Sequence, residues 1–137
     1  LNARQMLRAL DAERIVIGFI SPDGAFLHEE LAWAQGLAPC GKSERVMSCA
    51  PFRDELQGWL DSNRPAACIG IDPGSVARHD TPCDHLLIVR GEGEAGAGWL
   101  AVIAAHLRNP VELEFAEAQA VSLLIAEYCR RRDQLKC

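Results

Sequence analysis

A chain of 137 residues with 49% hydrophobic and 24% charged side chains carries enough apolar material for one packed core, which excludes disorder and a collagen-like repeat. Its apolar stretches, such as Trp99 to Ala105 and Ala120 to Ala126, fall far short of the roughly 20 residues that cross a bilayer, so no membrane partner is expected. A net charge of −5, from 14 basic against 19 acidic residues, argues against a nucleic-acid surface.

Ala3, Met6, Leu7 and Leu10 recur at helical spacing, so residues 1 to 13 read as an amphipathic helix. Arg14 to Ile20 is β-branched and nearly all apolar, and Ser21-Pro22-Asp23-Gly24 supplies a proline-fixed φ and a permissive glycine for a tight turn. Ala25 to Ala34 is the return strand of that hairpin, with Glu29 to Gln35 also compatible with a helix. The stretch from Gly36 to Cys49 is polar and aperiodic and reads as a loop. Pro51 opens the next helix, whose apolar face is Phe52, Leu56, Trp59 and Leu60, and Arg64-Pro65 ends it. A short buried strand from Ala66 to Ile71 and a second irregular loop from Asp72 to Pro82 come next. Leu86 to Val89, the turn from Gly91 to Gly96 and Trp99 to Ala105 form another hairpin. Beyond Pro110, a helix from Phe115 to Leu135 presents Ala118, Val121, Ile125 and Tyr128 on one face.

Strands that meet through hairpins make an antiparallel sheet, so the expected fold class is α+β: a central antiparallel β-sheet with the N- and C-terminal helices packed on one face. No repeat or interior linker divides the chain, and residues 1–137 read as a single domain. The first and last helical patterns run to the chain ends, as expected of a piece of a longer protein.

Six cysteines are the unusual feature. A disulfide framework is disfavoured by their irregular spacing and by the size of the core, so reduced, cytoplasmic thiols are expected. Cys40, Cys49, Cys68 and Cys83 are separated by 8, 18 and 14 residues, without the Cys-x-x-Cys pair of a structural zinc or iron–sulfur site. His79-Asp80-Thr81-Pro82-Cys83-Asp84-His85 is the densest group of possible ligands, set just before a core strand; the bland alternative is a solvated strand-entry turn. Trp33, Trp59 and Trp99 offer broad apolar surface and an N–H donor to a ring-shaped ligand, or simply pack the core. His28 and His106 read as surface or satisfied histidines near strand ends. Arg130-Arg131-Arg132 is explained by the helix dipole and solvation.

Leu86-Leu87-Ile88-Val89, Gly98-Trp99-Leu100-Ala101-Val102-Ile103 and Phe115 leading into Ala120 to Tyr128, preceded by Val16-Ile17-Gly18-Phe19-Ile20 and the Pro-Asp-Gly turn, resemble the GAF domain, a small-molecule sensory module of signalling proteins and transcription regulators. The chain departs from that family at Leu87-Ile88-Val89, where Val-Pro-Leu is common, and at Ala116, where a hydroxyl residue usually follows the phenylalanine. The resemblance implies ligand sensing rather than catalysis. The ligand would sit over the sheet under the irregular segments, in contact with Trp33, Cys40, Cys49, Phe52, Arg53, Trp59, His79, Asp80, Cys83 and His85. It also implies a homodimer through the terminal helices, with no direct contact to nucleic acid. No cofactor is required by the sequence. An alternative is a cysteine-based redox or iron sensor, since Cys83, Asp80 and Arg53 are similar to part of the iron site of nitric-oxide-sensing GAF domains; the further carboxylate of that site falls near Ala104 or Ala105 here. Cys83-Asp84-His85 is similar to the Cys-His pair that holds a bilin, but Asp84 interrupts it. A thiol-dependent enzyme such as a free methionine sulfoxide reductase is the remaining alternative.

Overall fold

The computed structural model describes residues 3–34, 41–71, 84–94 and 98–135. In chain order they form helix α1 (Ala3–Leu10), strands β1 (Arg14–Ile20), β2 (Phe26–Ala34), β3 (Gly41–Lys42) and β4 (Val46–Ser48), a 3-10 turn (Ala50–Phe52) running into α2 (Arg53–Leu60), then β5 (Ala66–Gly70), β6 (His85–Glu94), β7 (Leu100–Leu107) and α3 (Phe115–Leu135). One antiparallel sheet has the order β3-β2-β1-β7-β6-β5, with β4 also paired to β2.

The sheet separates two cores. On one face Val16, Ile20, Leu86, Ile88 and Val102 pack under Phe52, Leu56 and Trp59 of the α2 segment. On the other, Ile15, Ile17, Leu87, Val89 and Ile103 pack with Leu10 and Ala12 and with Ala118, Val121 and Ile125 of α3. This is the expected α+β arrangement, with both terminal helices on one side. Burial on both faces explains why β1, β6 and β7 read as unbroken apolar runs.

The bounds of β1 and α3 match the sequence reading. Other elements differ for local reasons. Helix α1 ends at Leu10 rather than at residue 13, because Asp11 adopts a left-handed φ of 49° and Glu13 N–H is already bonded to His106 O at 2.9 Å; aspartate is one of the few residues that takes this conformation readily. Glu29 to Ala34 is strand, not helix. The stretch read as a loop from Gly36 to Cys49 contains β3 and β4, since the outer edge of β2 recruits backbone partners that need no side-chain periodicity. Strand β6 continues to Glu94, through most of the expected Gly-rich turn. There a Cβ on Gly91 would lie 2.4 Å from Ile125 Cγ2, so the glycine serves close packing against α3 rather than a bend. The expected loop from Asp72 to Pro82 lies outside the described residues.

The Ser21–Gly24 turn is held by its own side chains. Ser21 Oγ donates to Asp23 Oδ1 at 2.7 Å, Ala25 N–H donates to the same oxygen at 3.0 Å, and Gly24 takes a φ of 72°. Those two hydrogen bonds hold the Asp23 carboxyl below the usual carboxylate range.

Candidate functional site

Strand β1 enters the sheet on Arg14, in phase with Val16 and Ile20, so its side chain lies on the α2 face. Its partners across the ladders are Ala34 on β2 and His106 on β7. The pairing of β1 with β2 shifts between Ile17, opposite Leu31, and Gly18, opposite Glu29. Glu30 is therefore the extra residue of a β-bulge, and Glu29 is turned to the same face as Arg14. Gly18 permits this approach: a Cβ there would meet His28 O at 2.6 Å.

The result is a largely buried polar group on an otherwise apolar sheet face. Arg14 Nη1 donates to Glu29 Oε2 at 2.5 Å and Ser43 Oγ donates to Glu29 Oε1 at 2.9 Å. Glu29 N–H is bonded to Arg45 O at 2.9 Å, which fixes the strand around the carboxylate. Burial alone would raise the Glu29 pKa, but the hydrogen bond and charge of Arg14, the Ser43 hydroxyl and the charge of Arg45 together hold it below its usual value. The carboxylate stays ionised although only 5% of the residue is exposed. His106, 1% exposed, is pushed down to about 4, first by burial and then by the positive charges of Arg14 and Arg45, with Glu29 acting in the opposite direction. Its imidazole is therefore neutral at neutral pH. A fixed cation, a carboxylate and a neutral imidazole offer directed donors and acceptors to a polar molecule.

The residues anticipated from the sequence are divided by the sheet. Cys49, Phe52 and Trp59 come together in the core beneath α2, with Met47 and Leu56. Arg53, on the first turn of α2, is exposed. Trp33 is half-buried on the opposite face, with Ile15 and the α3 side chains, because the bulge reverses the phase of β2 beyond Glu30. His85 begins β6, where strand alternation puts it on the side of Leu87, also away from α2. Cys40, His79, Asp80 and Cys83 lie outside the described residues, as does Cys137. Cys49 and Cys68 are free thiols. Among the described residues no group of three or more His, Cys, Asp or Glu side chains is arranged to hold a metal ion. His28 is exposed and stands edge-on to Trp99, ring centroids 4.7 Å apart.

Trp59 is fully enclosed rather than open to a ligand. The Arg90 guanidinium lies 4.5 Å above its ring and donates from Nη2 to Trp59 O at 2.8 Å. Burial lowers the Arg90 pKa, and the stacked indole face compensates part of that lost hydration.

The Cys49 thiol is pushed up to about 12, by burial and then by the nearby charge of Asp23. That is three decades above an ordinary value of 9.0, so its thiolate fraction at neutral pH is about a thousandfold lower than that of a free thiol. Iodoacetamide at pH 7, followed by peptide mass mapping, is expected to leave Cys49 unmodified while Cys68 reacts. Rapid labelling of Cys49 in the folded protein would show that burial does not control it.

Sequence reasoning missed Arg14, Glu29 and His106 as a group. The available signal was an arginine heading an apolar strand and a histidine inside another. Which face each occupied depended on a bulge and a strand order that one sequence does not display.

No protein-family model matches the chain, and no curated protein matches it. Two solved structures do. The phycocyanobilin-bound GAF domain from a cyanobacterial phytochrome aligns with a TM-score of 0.58 and 9% identity, covering 95% of this chain and 79% of that one. A red/green cyanobacteriochrome in its green light-absorbing state aligns with a TM-score of 0.57 and 12% identity, covering 97% of this chain and 90% of that one. The fold is GAF-like, as the sequence resemblance implied.

Proposed function

We propose that the chain is a ligand-sensing regulatory domain, which binds a small polar molecule on the α2 side of the sheet and passes the change to its terminal helices. The observation that carries this reading is the group formed by buried Glu29 and His106 with partly buried Arg14 and Ser43. Burying an ion pair is seldom a gain in stability over apolar side chains of the same size. Its presence on a face otherwise filled by aliphatic residues therefore favours a role in recognition. Support also comes from the fold, which is shared with a domain that holds phycocyanobilin. A bilin is not carried over to this chain, because Asp84 stands between Cys83 and His85. The domain would serve a cytoplasmic signalling protein or transcription regulator, pair as a homodimer through α1 and α3, and act without catalysis or direct nucleic-acid contact. Among the described residues no helix is long and apolar enough to cross a membrane.

Native mass spectrometry of protein taken directly from cells tests the reading. A non-covalent mass shift is expected, lost in Arg14→Met and weakened in Ser43→Ala, the milder change that keeps the ion pair. Bare protein, together with no thermal shift across a panel of polar metabolites, would refute it.

A further inference from the structure

Among the described residues β5 ends the sheet: β6 lies along one of its edges and no strand along its second. Ile71 N–H is bonded to Asp84 O at 2.8 Å and Arg90 N–H to Pro65 O at 3.0 Å. Together with the register from Ala66 opposite Val89 to Gly70 opposite His85, these bonds fix the phase of the ladder. In an antiparallel pair alternate residues turn both backbone groups towards their partner. Ala67 and Ile69 therefore bond to β6, while the N–H and C=O groups of Ala66, Cys68 and Gly70 point away from the sheet. The segment Ala66-Ala67-Cys68-Ile69-Gly70 has no charged residue or proline of the kind that commonly guards an open edge.

On the α3 side of this edge lies a groove of about 650 Å³, with Ala66, Cys68 and Leu87 on the sheet and Val111, Leu113 and Phe115 on the connection into α3. Phe115 is 66% exposed despite its size.

We infer that β5 and this groove receive an extended segment of a partner protein, added as a further strand with bulky apolar side chains at every second position. The backbone groups of Ala66, Cys68 and Gly70 call for an extended chain, since only a strand repeats its donors and acceptors at that spacing. The groove sets the side chains. Residues directly opposite Ala66 and Cys68 share their face and so project over the groove. In a second copy pairing β5 with β5 about Cys68, those positions would be Ala66, Cys68 and Gly70, whose small side chains leave most of 650 Å³ empty. A partner segment bearing leucine, valine or phenylalanine satisfies both the edge and the groove.

The experiment is amide hydrogen exchange by NMR on the full chain, with and without synthetic peptides in which threonine alternates with leucine, valine or phenylalanine. The amides of Ala66, Cys68 and Gly70 are expected to exchange freely in the protein alone. At least one peptide should slow them by about tenfold or more, and the same peptide methylated on alternate backbone nitrogens should not. Phe115→Glu, at an exposed position, should weaken binding about tenfold with the thermal midpoint unchanged. Protection of these amides without peptide overturns the inference, as does a doubled mass by light scattering with the same protection, which would assign the edge to a second copy. Failure of every alternating peptide, or equal binding of the methylated one, overturns it as well.

Discussion

Acidification from pH 6.5 to 4 is expected to cost the fold about 3 kcal/mol through His106 alone. The imidazole titrates at about 4 in the folded protein against an ordinary 6.5, and each unit of difference is worth about 1.4 kcal/mol. Between those values the unfolded chain holds a proton that the folded chain does not, so stability falls as the pH falls. The loss begins near 6.5 and is complete below about 4. Glu29 adds to it further down: its carboxyl is held below the usual value, so its contribution is present above about 4.5 and disappears as the pH drops through the folded pKa. Urea midpoints measured across this range give the slope directly. His106→Gln, which has no titrating group, should flatten the part between 6.5 and 4 and leave the loss below it. An unchanged slope in that variant would mean that the acid response comes from elsewhere.

Gly91→Val is the second large effect, an expected destabilisation of about 3 kcal/mol. Even a single added Cβ would stand 2.4 Å from Ile125 Cγ2 and 2.9 Å from Ile125 Cβ, and Ile125 is fully buried. Ile125 does not yield easily, since it is enclosed between α3 and the sheet. Gly91→Ala should show the same defect at about 2 kcal/mol. Combining it with Ile125→Ala should cost less than the sum of the two single changes, because the shorter side chain removes the closest contact. Strict additivity in denaturant melts would place the strain elsewhere.

The fold was legible wherever side-chain periodicity and turn chemistry coincide. Arg14 to Ile20 declares itself by β-branched residues next to a Ser-Pro-Asp-Gly turn, and the closing helix by a broad apolar face after Pro110. What periodicity cannot report is backbone pairing that side chains do not announce. Strands β3 and β4 are short additions to the edge of β2, and β6 runs into a glycine-rich stretch because α3 lies close above it. The site was less legible for a related reason. Strand alternation says that Glu29 and Trp33 share a face, whereas the extra residue at Glu30 sends them to opposite ones. In β7, where every residue from Ala101 to Leu107 is buried, no polar neighbour marks the side on which His106 lies.

Arg90 and Gly91 together have a mechanical consequence. The side chain of Arg90 reaches α2 through Trp59 O, while its carbonyl oxygen accepts the Ser122 hydroxyl of α3 at 2.5 Å on the far side of the sheet. Gly91, the next residue, seats Ile125. Stacked layers joined only by apolar contact can slide by a fraction of a turn at small cost. Two adjacent residues of β6 act here as a rivet through all three layers, which sets the registration of α2 against α3 and lets neither helix slip along the sheet alone.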